Sequence, residues 1–376
     1  RVPQLHIEEG EMQPGVQPAP VEPIKVAAPA QPRWRRLRHR GPSRARLDRK
    51  EPLIGWLFST PALLGLLIFL VVPIVAAVWV SFRDWNGLTP IFDSDPVGLA
   101  NYRELLVEDG VRQTDFAISL RNNFYYVLGV VPAQTFLAFV LAVILNQKFL
   151  KGKGFFRTAY YFPSITSSIA VTLIFVFLFQ TNGAVNRVLP IQDIDWLDNA
   201  RGVIHNFLGI FGVEDGPAVL TENEFLGLEW WDWLAGPSVA MVAIMMLVTW
   251  TTSGTLMLIF LAGLQNISPS VEEAAIVDGA GPLQRFFRIT IPLMRPTIFF
   301  VVTLGLIGTW QVFDQVYAGT AGGPRKTTFT PAYLIYTQAF TNSKAGLAGA
   351  IAVILFVIIM FFTWVNRKVI RDTGDF

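Results

Sequence analysis

Cysteine is absent from the 376 residues, which excludes disulfides, cysteine nucleophiles and thiolate-held metals. Histidine is nearly so: His6, His39 and His205 are too far apart in sequence to suggest a histidine metal site, and no metal is expected. Charge is scarce. Asp, Glu, Lys and Arg make up 15% of the chain, against roughly 25% in an average soluble domain, so a soluble surface of this size is excluded. No phosphate-cradling G-x-x-x-x-G-K-[ST] occurs. The nearest stretch, Gly319 to Thr327, has Arg325 where the loop needs Gly before Lys326, so the chain is not expected to bind or hydrolyse ATP.

Apolar surface is what the sequence has in excess: 52% hydrophobic residues, 30 Phe, 11 Trp and a mean hydropathy of +0.45. Six apolar stretches lie near 54–80, 121–147, 159–180, 237–264, 297–318 and 346–366. Each exceeds the roughly 20 helical residues that cross about 30 Å of hydrocarbon. They do not alternate in polarity, which excludes an outer-membrane barrel and predicts an all-α bundle over residues 51–370. Within the six interiors Asp314 is the single acid and there is no Lys or Arg; Arg121 stands at the entrance of the second, where it can snorkel.

Loop charge predicts orientation. The connection 148–157 carries Lys148, Lys151, Lys153 and Arg157 with no acid, and the tail adds Arg367, Lys368 and Arg371. The connection 82–120 has seven acids against three bases, and 182–235 has nine acids against Arg187 and Arg201. Both termini are therefore expected in the cytosol, with 371–376 a short cytosolic tail and 182–235 an external cap holding a short helix or two. The connection 319–345 dissents, with Arg325, Lys326 and Lys344 unopposed. Residues 1–50, rich in Pro and Ala and ending in the basic run Arg33 to Lys50, read as a disordered cytosolic tail. The basic run reads as a topology anchor; a nucleic-acid-binding arm is the alternative, but no folded domain accompanies it, and nucleic acid is not an expected partner. Trp230, Trp231 and Trp233 read as an interfacial belt or, alternatively, a sugar-stacking platform.

The connection 266–295 is too patterned for a plain turn. Ser268 or Ser270 can cap a helix whose first turn holds Glu272 and Glu273. Gly279, Gly281 and Pro282 break that helix, and a second runs from Leu283 until Pro292 ends it. Ala274 and Ala275 leave a face that another surface can approach closely. The result is a helical elbow suited to a groove on a partner.

Glu273-Ala274-Ala275, three residues, Gly279, nine residues, then Ile289-x-Ile291-Pro292 resembles the E-A-A…G…I-x-L-P signature of ATP-binding-cassette importer permeases, with Ile291 where Leu is usual. The flanking Asp278-Gly279-Ala280-Gly281-Pro282 and Phe286-Phe287 resemble the carbohydrate branch, the maltose-transporter-like permeases. The likeness spans about 53–370; residues 1–50 and about 190–228 look like additions. The resemblance implies a six-helix type I importer permease fold with cytosolic coupling helices, in the inner membrane of a prokaryote. It implies a homologous second permease as partner, two ATPase subunits that bind ATP and Mg, and an extracytoplasmic sugar-binding protein. Glu273 to Pro282, Ile289 and Pro292 would form the ATPase-coupling surface. Gly322, Gly323, Pro324 and Arg325 would meet the binding protein, and Arg325 with Lys326 would face an acidic rim on it.

Polar residues inside spans mark a path for cargo. Gln311, Asp314 and Gln315 stand at i, i+3 and i+4 in the fifth stretch, which predicts one shared helix face. With Thr309 and Trp310 they supply the hydrogen bonds and stacking surface that a sugar needs. Trp250 and Thr251 in the fourth stretch are candidates too. Thr252, Ser253, Ser164, Thr166, Ser167 and Ser168 read either as lining or as hydroxyls bonded back to their own helices. A di- or oligosaccharide is the expected cargo. A polyol or glycerophosphodiester on the same machinery is the alternative, as is an ion-coupled secondary transporter, for which Asp314 alone is thin support.

Overall fold

The structure, a computed structural model, describes residues 51–147, 149–188, 194–213 and 216–371. The expectations for residues 1–50 and 372–376 lie outside the described residues. The chain divides into two compact units, one ending at Leu64 and the other running from Gly65 onward.

In the first unit and its continuation, α1 (Glu51–Leu66) passes through a wide π turn into α2 (Val72–Val80). Pro73, within the first two residues of α2, cannot donate a backbone N–H, and the turn before it is widened accordingly. A two-residue antiparallel pair, β1 (Arg83–Asp84) with β2 (Asp95–Pro96), and α3 (Ala100–Leu106) lead to α4 (Val111–Asn146). At 36 residues α4 is the longest helix described, ten residues longer at its start than the apolar stretch indicated, because Val111–Leu120 is helical without being lipid-like.

α5 (Lys153–Ile165) and α6 (Ser168–Leu178) form the third apolar stretch, but they meet at 98° rather than running straight. Thr166 and Ser167 take extended backbone angles there and stop the helix. The cap holds α7 (Ala184–Val188), α8 (Val203–Ile210), α9 (Ala218–Thr221), a hairpin of β3 (Glu224–Phe225) and β4 (Leu228–Glu229), and α10 (Trp230–Trp233). The tryptophans of the cap make contacts within it. Trp231 stacks on His205 at 4.3 Å, Trp230 stacks on Phe225 at 5.6 Å, and Trp233 Nε1 donates to the Phe225 carbonyl at 3.0 Å. All three are engaged in holding the cap together.

Burial holds the His205 imidazole below its ordinary 6.5, while Nε2–H donates to the Trp231 carbonyl at 3.1 Å. An unfolded cap takes up a proton near pH 6.5, whereas the folded cap does so only at lower pH. The cap is therefore most stable above 6.5 and loses stability as pH falls towards the lowered folded value. Corrected for the intrinsic exchange rate, the protection of amides over residues 203–210 should fall on acidification below pH 6.5, and His205→Phe should flatten that dependence; protection factors independent of pH would contradict the assignment.

α11 (Val239–Gln265) begins at Ser238, whose hydroxyl accepts from Met241 N at 3.0 Å. Then come α12 (Pro269–Val277), α13 (Pro282–Arg285), a π turn and α14 (Ile291–Leu293), and α15 (Arg295–Trp310). Pro292 does not end the second elbow helix as its position suggested. The helical path continues and bends by 62° before α15. The bend falls at Met294, where Pro296 has no N–H to offer the carbonyl of Pro292. α16 (Asp314–Gly319), α17 (Pro331–Tyr336) and α18 (Ala345–Arg371) complete the chain.

Among the described residues four helices are long and apolar enough to cross a membrane, and six if each bent pair counts as one span. α4 and α11 make the most extensive helix pair. Their C-terminal halves bury Ala138, Leu141, Ala142 and Leu145 against Leu256, Met257, Phe260 and Leu264. α15 packs on α4 and α18, α5 on α11, and α16 on α6. Of the most apolar window of α11, 56% is buried by protein, against 33% for α18. α11 is thus the central post, and α18 keeps a broad face for lipid or another subunit.

Candidate functional site

Two sites emerge, a cavity between helices and an elbow at the end of the bundle. The fifth apolar stretch is not one helix. α15 stops at Trp310, residues 311–313 leave the helical path, and α16 restarts at Asp314. Gln311, Asp314 and Gln315 therefore do not share a helix face, yet all three line one cavity of about 520 Å³. The break turns them inward. Gln311 and Asp314 are exposed, and Gln315 Nε2 donates to Ser168 Oγ of α6 at 2.9 Å.

Thr251 and Thr309 also line the cavity. Their hydroxyls donate to the carbonyls of Val248 (3.1 Å) and Gly305 (2.7 Å), so each offers the cavity only its remaining lone pairs. Ser164, Thr166, Ser168 and Thr252 line it as well. Among the lining residues Asp314 is the one charged side chain.

Two expected members are elsewhere. Trp310 is 2% exposed and stacks on Phe362 of α18 at 5.3 Å. Trp250 faces away from the cavity wall, 43% exposed and against Phe175 at 5.4 Å. Both follow from helical rotation, since a residue adjacent to a lining threonine points about 100° away from it. The structure adds Tyr126 and Gln134 of α4 to the lining, neither of which carried a charge or a motif to single it out.

The elbow is built on a Schellman motif. Ala280 N donates to Ala275 O at 2.9 Å, Gly279 N donates to Ile276 O at 3.0 Å, and Gly279 has φ +79°. Ala275 is buried, while Glu273, Ala274, Asp278, Gly281 and Pro282 are exposed and Ala280, Ile289 and Pro292 are half-buried. Ile276 (55%), Val277 (87%) and Leu283 (74%) add exposed apolar surface beside them. Ser268 occupies the N-cap of α12 without a side-chain cap bond; its hydroxyl pairs instead with that of Ser270 at 2.8 Å.

At the other end, the turn 320–330 is fastened to α4. Lys326 Nζ pairs with Asp115 Oδ1 at 2.6 Å, and Asn122 Nδ2 donates to the carbonyls of Lys326 (2.8 Å) and Phe329 (3.0 Å). Lys326 is thus engaged within the chain rather than left for an external acidic rim, and this pairing answers part of the charge dissent. Gly322 (φ +80°) lies where a Cβ would meet Phe329 at 2.7 Å, and Gly323 O accepts from the Thr328 hydroxyl at 2.6 Å. Pro324 and Arg325 line an open cleft of about 610 Å³ opposite Asp195, Asp198 and Arg201 of the cap. Arg121 does not snorkel: Nη1 donates to the Asp232 carbonyl of the cap at 3.2 Å.

A cavity between helices and a bent helical elbow, on a frame of helices long and apolar enough to cross a membrane, fit a membrane transport subunit. The chain belongs to the family of binding-protein-dependent transport system inner membrane components, which matches residues 134–373. It is 31% identical to the multiple sugar-binding transport system permease protein MsmF of Streptococcus mutans over 81% of this chain and 91% of that one. It is likewise 31% identical to the lactose transport system permease protein LacF of Rhizobium radiobacter over 85% of this chain and 95% of that one. Its fold matches a chain of a bacterial ABC transporter involved in import of the acidic polysaccharide alginate, with a TM-score of 0.64, 18% identity, and coverage of 88% of this chain and 98% of the other.

Proposed function

We propose that this permease imports a di- or oligosaccharide. The observation that carries the reading is the composition of the cavity wall: hydroxyls, amide groups and one carboxylate, with no cation among the lining residues. Hydroxyl-rich, uncharged cargo suits such a wall, whereas a phosphate-bearing one favours Arg or Lys. Relatives named for lactose and for multiple sugars support it.

In this reading the chain is a non-catalytic subunit in the inner membrane of a prokaryote, with both termini in the cytosol. It pairs with a homologous second permease. Two ATPase subunits bind ATP and Mg and grip the elbow at Glu273 to Pro282, Ile289 and Pro292. A sugar-binding protein docks outside, where Gly322 and Gly323 shape the turn and Pro324 and Arg325 face the cleft. ATP-driven closure at the elbow opens the cavity outward, and hydrolysis returns it inward to release the sugar.

Gln311→Ala tests the cavity. Its side chain is exposed and has no hydrogen bond among the described residues, so its loss should raise the KM for sugar uptake about five- to tenfold. Unchanged kinetics across lactose, maltose and trehalose would remove Gln311 from the site.

A further inference from the structure

The polar groups of α4 are left open where α4 meets the cavity. Tyr126 is fully buried, its ring packed among Val130, Met241 and Val312, yet its hydroxyl has no hydrogen-bond partner among the described residues. Gln134, 2% exposed, has its Oε1 fixed by the Thr252 hydroxyl at 2.6 Å. That bond orients the amide and leaves Nε2, which carries two donors, without an acceptor among the described residues. Nε2 rests against Gly305 of α15, where even a Cβ would come within 2.5 Å of it. Tyr126, Gln134 and Gly305 all line the cavity.

A buried hydroxyl without a partner is destabilising and calls for a partner that comes and goes. Both open groups lie on one helix, eight residues or about 12 Å apart along its axis. A single sugar ring does not span that distance, whereas two linked rings do. Each sugar hydroxyl can both donate and accept, so it can satisfy the Tyr126 hydroxyl in either sense and accept from Gln134 Nε2.

Resting on the reading of the cavity as a sugar path, we propose that Tyr126 and Gln134 form a second sugar-binding wall on α4. This wall selects cargo of at least two rings. Thr252 is the positioning residue for Gln134, and Gly305 provides the room for its amide.

The test uses the complete importer reconstituted in proteoliposomes, with lactose, maltose and trehalose as probes. Tyr126→Phe removes only the hydroxyl. It should raise the KM for an imported disaccharide about five- to tenfold. The thermal midpoint of the complex should stay level or rise, because an unsatisfied buried group has been deleted. Gln134→Leu should raise KM by a similar factor, with the single Thr252 hydroxyl proton, shared between two acceptors in the wild type, turning wholly to the Val248 carbonyl at 2.7 Å. If the wild type imports a disaccharide and Tyr126→Phe leaves KM unchanged, the α4 wall is overturned and the sugar reading survives. The wall is likewise overturned if Tyr126→Phe lowers the midpoint without moving KM, since the hydroxyl is then structural. If the wild type imports none of the three sugars, the cargo reading falls, and the wall with it.

Discussion

Glu273→Lys should cut sugar uptake at least thirtyfold while the chain still inserts in the membrane. Glu273 is exposed on the nine-residue α12, and among the described residues no ion pair engages it. The helix fold does not depend on it, so a mutant chain loses little internally. What it loses is complementarity. Beside Glu273 lie exposed Ala274, Ile276 and Val277, an apolar and small-residue surface around one carboxylate. Reversing a charge that meets a basic residue in a desolvated groove costs about 2–5 kcal/mol or more, which converts to thirtyfold and upward in assembly or coupling. The measurement is binding-protein-stimulated ATP hydrolysis beside uptake in the same vesicles. Hydrolysis that persists without uptake, or an ATPase that no longer co-purifies, is the expected outcome. Wild-type uptake would remove the elbow from the coupling surface.

Gly254→Leu should prevent the bundle from assembling, and Gly254→Ala should already lower its thermal midpoint. Gly254 of α11 sits against the backbone of α5: a Cβ there would lie 2.8 Å from the Tyr160 carbonyl carbon and 3.0 Å from Tyr161 Cα. Backbone cannot swing aside as a flexible side chain can, so α5 must retreat. Overpacking of this kind costs about 1–3 kcal/mol for small additions, and a leucine adds far more volume. α5 is joined through the 98° break to α6, which brings Ser168, Val171 and Thr172 to the cavity. Displacing α5 therefore spoils the cavity as well as the packing, and uptake should fall with stability. Gly65, with nothing within 4 Å of a built Cβ, is the control; Gly65→Ala should leave the midpoint level or raise it, since alanine favours the helix. Equal midpoints for the Gly254→Ala and Gly65→Ala proteins would refute the close-approach argument.

The contrast between these two glycines was not legible in the sequence, where both are single glycines in apolar runs. Hydropathy reports how much a segment prefers lipid, not its direction. It therefore marked the apolar stretches but missed the 98° and 62° bends and the break at 311–313. Gly279 was legible because a left-handed C-terminal turn leaves a pattern of chemistry, a glycine followed by Ala280, Gly281 and Pro282. Gln311, Asp314 and Gln315 were identified as a group through a helical spacing that the structure does not keep. Their polarity was the sound part of that signal, since polar groups in an apolar run need a cavity whatever the backbone does. Trp310 and Trp250 were attached to that group by adjacency, and rotation about the helix axis carries them away from it. Tyr126 and Gln134 were invisible because a tyrosine and a glutamine in a 36-residue helix are unremarkable until their unmet hydrogen bonds are seen.

α15 is bounded by a break at each end, the 62° bend at Met294 on the elbow side and residues 311–313 on the cavity side. Its 16 residues make a rod of about 24 Å. A rod with a pivot at each end transmits thrust without having to transmit rotation. In the proposed transport cycle a displacement at the elbow would arrive at Thr309 and Gln311 as an axial push, while α16 held its seat on α6. The same stroke can therefore rearrange one side of the cavity and leave the other in place, as a connecting rod moves a piston within a fixed cylinder.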